Sequence, residues 1–417
     1  MEIQVTAYPA KNGESLLIEC IGDKNTNILV DLGFPETYTD FIKSDLERIA
    51  INGGKLDLLV LTHFDSDHIS GAIKFFEDLL LDRFIEIDEI WVNDFVALCS
   101  SEIEQDICNT EEKEVYDFSK FILMKYGKGK SVRNTLEISK SEIMDITKLI
   151  NKLGLNDKIN KSLNGRVVFS YDNNINTVNI NKDVKITIIG PTKVTLQKLL
   201  KDFLKWISKN KQRYPLIEEG ELFELFTLSY ESNSKSYEGQ VRKKKEINNG
   251  IDYKKKIKEI LNEDVVKRKS SLTNSSSIAF ILEFKNNKLI LTGDSDIQTL
   301  KQSLLSNDIK EYDLIKIPHH GSKNNISQDL LTSIKCINYL ICTDGSGRSK
   351  HPDLETLSYI SSQKKANVYI NYPIKEMSVP KDALEVLKKE YELKIFTDKN
   401  QGPLKLCLNQ GEIYVKK

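Results

Sequence analysis

Leu58-Leu59-Val60-Leu61-Thr62-His63-Phe64-Asp65-Ser66-Asp67-His68 runs from an apolar segment straight into a loop of imidazoles and carboxylates. The segment Leu56–Leu61 reads as a strand covered on both faces, and Ile69, Ala72, Ile73, Phe76, Leu79 and Leu80 fall in phase on one helical face just downstream. Strand, polar loop and helix in that order put the loop at a strand end, where α/β folds build their sites. If the loop is extended, alternation aims His63, Asp65 and Asp67 one way and His68 the other, so the donors can serve two ions about 3.5–4 Å apart.

The remaining histidines repeat the arrangement. His319 and His320 follow Leu314–Ile317, His351 follows Tyr339–Cys342, and Gly293-Asp294 ends the run Lys288–Thr292. All five histidines of the chain therefore sit in polar loops after strand-like runs. Strands lying side by side would bring these loops to one rim, where distant donors converge on a divalent metal.

Outward from these loops, Glu2–Tyr8, Ser15–Cys20 and Asn27–Asp31 read as an opening β-meander, followed by a helix from Pro35 to Ala50. Further strands are expected at Glu89–Asn93, Arg166–Tyr171, Val184–Gly190 and Ile278–Phe284, with late helices near Leu354–Ser361 and Lys381–Tyr391. Between them lie two tracts of different character: a helical insertion over 97–162, and a basic helical one over 197–273 whose Ser, Asn, Lys and Glu-rich part, 229–250, reads as a mobile loop.

With 417 residues, 40% apolar and 29% charged, the chain is expected to be a globular protein with a core of its own, not a fibrous or wholly disordered one. No apolar run approaches the roughly 20 residues that cross a bilayer, and residues 1–20 alternate like a strand instead of forming a leader, so the expected location is cytoplasmic with no membrane partner. Six scattered cysteines without a C-x-x-C pair, Cys20, Cys99, Cys108, Cys336, Cys342 and Cys407, are expected to be reduced and mostly buried. The net charge of −1 hides a segregation: residues 1–100 carry 19 acidic and 7 basic side chains, residues 240–270 carry 11 basic and 5 acidic. A local basic patch of that kind leaves nucleic acid open as a partner.

The pattern His63, Asp65, Asp67, His68 resembles the H-x-[HD]-x-D-H signature of the metallo-β-lactamase superfamily, preceded by Asp31-Leu32-Gly33 and followed by Gly293-Asp294 and His319-His320-Gly321-Ser322. Within it, the sequence is most similar to the soluble domain of bacterial DNA-uptake competence proteins, through H-x-D-x-D-H, Asn274-Ser275-Ser276, T-G-D, P-H-H-G-S and His351-Pro352. The resemblance implies an α/β fold, the αββα sandwich, in three stretches: 1–96, 163–196 and 274–417. It also implies a ligand set. His63 and Asp65 would hold one ion, Asp67 and His68 another, Asp294 would bridge them, and His319 rather than His320 would complete the second ion. No histidine lies between His68 and His319, so the usual third-motif histidine is missing, and Asp65 takes a place more often held by histidine. A carboxylate there hardens the site, which favours Mn(II), with Zn(II) next. Asp31 is expected either to accept the ring N–H of a ligand histidine or to cap the Pro35 helix.

Two divalent ions imply a metal-dependent hydrolase working through a metal-activated hydroxide, with a phosphodiester as the expected substrate. Catalytic roles then fall to Asp67, His320 and His351, the last as proton donor to the leaving group, while Ser322, Lys323, Asn274 and Ser276 would bind substrate. The lysines Lys198, Lys201, Lys205 and Lys209, with Arg242–Lys245, Lys254–Lys256 and Lys267–Lys269, could follow a nucleic-acid backbone or form a solvated face. Two other functions stay open: hydrolysis of a thioester, lactone or β-lactam, and a scaffold with an incomplete metal site whose helical insertions dock a protein partner.

Overall fold

The computed structural model describes residues 1–98, 103, 146–170, 176–210, 251–263, 270–346, 350–373, 379–397, 402–409 and 411–416. The opening strands β1 (Glu2–Ala7), β2 (Leu16–Ile21) and β3 (Thr26–Val30) pair antiparallel, while β4 (Leu58–Val60) and β5 (Ile90–Trp91) join β3 in parallel. With β14 (Leu404–Asn409) and β15 (Glu412–Lys416) they form a seven-stranded sheet ordered β15-β14-β1-β2-β3-β4-β5. The second sheet has eight strands. β6 (Asn176–Asn179), β7 (Val184–Gly190), β8 (Ala279–Phe284) and β9 (Asn287–Leu291) are antiparallel, and β10 (Leu314–Lys316), β11 (Asn338–Ile341), β12 (Asn367–Ile370) and β13 (Lys394–Thr397) continue in parallel.

Strand alternation sorts the apolar residues into three layers. Ile28, Val30, Leu58 and Val60 of the first sheet meet Phe280, Leu282, Leu289, Leu314 and Leu340 of the second in a core between the sheets. Trp91 closes edge-on against Phe280, ring centroids 6.1 Å apart. The intervening residues point outward: Leu29, Leu59 and Leu61 pack under Ile69, Ala72, Phe75, Phe76 and Leu79 of the helix Ser66–Leu81, and Ile281, Ile290, Ile315, Tyr339 and Ile341 pack under Leu300, Leu357 and Leu384. Both faces of each sheet are covered, which is why the strands near the site read as continuous apolar runs. This is the αββα sandwich.

The described parts of the insertions belong to these layers. Leu149, Ile150 and Leu153 of the segment after Ile146 join the helical layer of the first sheet, as do Leu196, Leu199, Leu200 and Phe203 of the helix Lys193–Asn210. Tyr253, Ile257 and Ile260 of the helix Tyr253–Asn262 instead join the layer on the second sheet. Two expectations are corrected. Arg166–Tyr171 does not form a strand among its described residues: Ser170 makes an isolated bridge to Thr192, and Val168 exchanges hydrogen bonds with the Asn93 side chain. The sequence after Asp65 is not an extended loop, because the helix begins at Ser66, and Asp67 and His68 already lie in its first turn. Arg242–Lys245, Lys267–Lys269, Cys99, Cys108 and the loop 229–250 lie outside the described residues. Cys20, Cys336, Cys342 and Cys407 are free and buried, and burial pushes the Cys20 and Cys336 thiols up to about 12.

Candidate metal centre

Parallel pairing aligns the strand ends. Val30 is level with Val60 in one sheet, and Leu314 with Leu289 and Ile315 with Tyr339 in the other. The loops that follow therefore emerge at one rim: Asp31 after β3, His63 after β4, Asp294 after β9, and His319 and His320 after β10. Asp31, His319 and His320 adopt left-handed backbone, with φ of 53°, 47° and 55°, a conformation uncommon outside glycine but one that Asp and His take more readily than most residues.

Close approach of the rim loops depends on glycine. Leu32 and Gly33 donate their N–H groups to the His68 carbonyl at 2.9 and 3.0 Å, and Gly71 donates to the Gly33 carbonyl at 2.8 Å. A Cβ on Gly71 would stand 2.3 Å from the Leu32 oxygen, so the helix carrying Asp67 and His68 can seat itself here only without a side chain.

Asp294 is the hub. Its Oδ2 lies 3.6 Å from His68 Nε2, 3.8 Å from His319 Nε2, 3.9 Å from His320 Nε2 and 4.0 Å from His63 Nε2. Asp65 Oδ2 is 3.6 Å from His63 Nε2, and Asp67 Oδ2 is 3.6 Å from His320 Nε2. Two overlapping groups result, His63 with His68 and Asp294, and Asp67 with His68 and His320.

Hydrogen bonds set the tautomers. His68 Nδ1–H donates to Asp31 Oδ2 at 2.7 Å, His320 Nδ1–H to the Cys342 carbonyl at 2.9 Å, and His319 Nδ1–H to Asn325 Oδ1 at 3.0 Å. Thr62 Oγ1 donates to Asp31 Oδ2 at 2.6 Å, which leaves it to accept from His63 Nδ1–H at 3.0 Å. With Nδ1 committed in each ring, Nε2 is the nitrogen that turns inward and is left to serve as a metal ligand. Asp31 accepts from both Thr62 and His68 and makes no cap on the Pro35 helix, whose N-cap position is Phe34.

Charge is concentrated here. Burial alone would raise the Asp294 carboxyl, but His68, His319 and His320 hold it well below the usual carboxylate range. Burial likewise presses the His68 pKa down, and Asp294 and Asp31 outweigh it to push the ring well above its ordinary value. Among the described residues, the buried Nε2 atoms of His63, His68 and His320 and Asp65 Oδ1 have no hydrogen-bonding partner. Buried polar atoms are rarely left so unless an ion or water satisfies them, and three imidazoles with three carboxylates are ligands that divalent transition metals accept. The donor set fits a metal.

The two members of the histidine pair differ in exposure. His320 is nearly sealed, its side chain 6% exposed, and aims Nε2 at Asp67 and Asp294, whereas His319 is 22% exposed and stacks edge-on toward His351, ring centroids 5.4 Å apart. Asn274 is buried, with Nδ2 3.3 Å from the His319 ring. Ser276 is buried and donates to the Thr273 carbonyl at 2.6 Å, and Ser322 is buried with its Oγ accepting from the Asn324 N–H at 3.3 Å. Lys323 Nζ is paired with Glu355 at 2.6 Å, and His351 Nδ1 lies 3.3 Å from Asp353 Oδ2.

Several supporting residues had no part in the sequence reading. Ser277 Oγ lies 3.2 Å from His63 Nδ1 and accepts the Asp294 N–H at 3.1 Å, and Asn12 donates to Asp67 Oδ2 at 3.1 Å. Lys316, 1% exposed, pairs with Glu14, also 1% exposed. A lysine inside the apolar run Leu314–Ile317 was the available signal, because a fully buried lysine needs an acid beside it.

Two facing sheets between helical layers, with histidines and carboxylates gathered at one rim, define a metallo-β-lactamase fold. Residues 9–79, which carry Asp31, His63, Asp65, Asp67 and His68, match the family model described as the Metallo-beta-lactamase superfamily. No curated protein matches the sequence. Among solved structures, the chain is similar to a protein named as a metal-dependent hydrolase from Parabacteroides distasonis ATCC 8503, with 13% identity over 95% of this chain and 94% of that one and a TM-score of 0.32. It is also similar to a mutant of the CmlA beta-hydroxylase, with 11% identity over 97% of this chain and 54% of that one and a TM-score of 0.34. Likeness at that level indicates neither substrate nor reaction.

Proposed function

We propose that the protein is a metal-dependent hydrolase that cleaves a phosphodiester, in a nucleic acid or a nucleotide. The observation that carries the reading is the convergence of the orphaned Nε2 atoms of His63, His68 and His320 on one oxygen of Asp294. His63, Asp65 and Asp294 would hold one divalent ion, and Asp67, His68, His320 and Asp294 a second, with Mn(II) or Zn(II) the fitting ions. Such ions acidify a water molecule and polarise the bond under attack. The chain's own groups do the rest. Asp31, Thr62 and the Cys342 carbonyl keep the ligand rings in their tautomers, and Asn12 orients Asp67. Asn274 directs one side-chain N–H at the His319 ring, and its second N–H can hold a non-bridging oxygen of substrate. His351, beside His319, is the candidate to hand a proton to the leaving oxygen.

Support for a nucleic-acid substrate comes from the helix Lys193–Asn210. It packs against the short helix Leu272–Ser275, which bears Asn274, and leaves Lys198 and Lys205 exposed. The motif likeness to the competence-protein domain points the same way. Metal analysis of purified protein, followed by assay of bis-p-nitrophenyl phosphate and a labelled oligonucleotide with Mn(II), Zn(II) and Mg(II), tests the reading. Activity that disappears in Asp67→Ala is expected; bound metal with no cleavage of either substrate would turn attention to thioesters and lactones.

A further inference from the structure

The two oxygens of Asp294 have different surroundings. Oδ2 faces the four imidazoles, while Oδ1 accepts the His319 N–H at 3.1 Å and lies 3.8 Å from Lys316 Nζ. Lys316 also donates to the Gly293 carbonyl at 2.9 Å and is in direct contact with Glu14. Neither Glu14 nor Lys316 reaches solvent. An ammonium in such a place is costly unless paired, and two carboxylates compete for it: Glu14, which it touches, and Asp294, which it does not.

We infer that Glu14 and Lys316 are positioning residues for the bridging carboxylate: Glu14 holds the Lys316 ammonium back from Asp294, so that Lys316 steadies Oδ1 without competing with a divalent cation for Oδ2. The inference rests on the reading of the cage as a divalent-metal site. Glu14 comes from the β1–β2 connection, whose backbone is fixed to the ligand helix through the Glu14 N–H, donating to the Asp67 carbonyl at 3.2 Å. Removing the Glu14 charge would free Lys316 to close on Asp294, an ion pair in a buried setting where screening is weak. Metal would then have to displace the lysine.

The experiment is calorimetric titration of chelator-treated protein with Mn(II) and with Zn(II). Glu14→Gln should bind metal about tenfold more weakly or worse, a coupling of the size found between contacting charges. Glu14→Asp keeps the counter-charge and should stay close to the parent affinity. The double variant Glu14→Gln/Lys316→Met removes the competitor and should bind metal more tightly than Glu14→Gln, while its far-ultraviolet circular dichroism verifies the fold. Parent-like binding by Glu14→Gln, or a double variant no better than Glu14→Gln, overturns the inference. Failure of the parent protein to bind either ion sinks the metal reading itself, which is a different result from failure of the pair.

Discussion

Asp31 Oδ2 lies 2.7 Å from His68 Nδ1, and neither side chain is exposed to solvent. The same carboxylate accepts from the Thr62 N–H at 2.8 Å and the Thr62 hydroxyl at 2.6 Å, so three donors share two oxygens. An amide in its place has a single acceptor atom, and one donor must then go unsatisfied. Asp31→Asn keeps a residue type tolerant of the left-handed backbone, so its effect should fall on the ring and not on the turn. Metal affinity, read by titration of chelator-treated protein, should drop by about tenfold or more. Affinity equal to the parent would remove Asp31 from the machinery of the site.

The histidine doublet offers a second, contrasting pair of variants. His320→Ala removes an Nε2 aimed at both Asp67 and Asp294 and should lower the metal content of purified protein. His319→Ala, at the partly exposed side beside Asn274, should leave metal content near the parent value while lowering turnover. Elemental analysis of the two proteins side by side settles the assignment, and the opposite ranking would return His319 to the ligand set.

Much of this site was legible because its donors fall in loops after apolar runs, and the strand runs themselves stand out through burial on both faces. The difference in exposure between His319 and His320 was not, since adjacent identical side chains carry no signal of which one is sealed. An extended loop would put Asp67 and His68 on opposite faces, but the helix begins at Ser66 and both project from its first turn. Asp65 occupies the N-cap position without capping, its carboxylate turned toward His63 instead, and composition alone cannot signal that diversion. Glu14 and Ser277 come to the cage from far along the chain, so only the tertiary fold reveals them.

Gly71 tests the packing of the ligand helix. In an exposed helix interior, glycine to alanine is stabilising by up to about 1 kcal/mol. Here the added methyl would meet the Leu32 carbonyl at 2.3 Å and the Phe34 carbonyl at 2.9 Å, both backbone atoms that cannot swing aside. Gly71→Ala should therefore destabilise, by about 1–3 kcal/mol in urea unfolding. It should also weaken metal binding, because the shift falls on the turn that carries Asp67 and His68. A gain in stability would contradict the close approach.

Asp78 supplies a pH-dependent contribution away from the site. It accepts from Lys43 and Lys74, each at 2.8 Å, and from the Tyr38 hydroxyl at 3.2 Å. Burial works to raise its pKa, but the bonds from Lys43 and Lys74 prevail and hold the carboxyl below its ordinary value. A carboxyl depressed on folding contributes stability that is complete above its unfolded value, near 4, and is lost as pH falls through the lower folded value. Both lysines are more than a third exposed, so solvent screening limits each pair to less than about 1 kcal/mol. Asp78→Asn should accordingly be less stable than the parent at pH 6, with the gap narrowing steadily below about pH 4. A gap independent of pH over that interval would mean that the carboxylate's charge contributes nothing, leaving only its hydrogen bond with Tyr38.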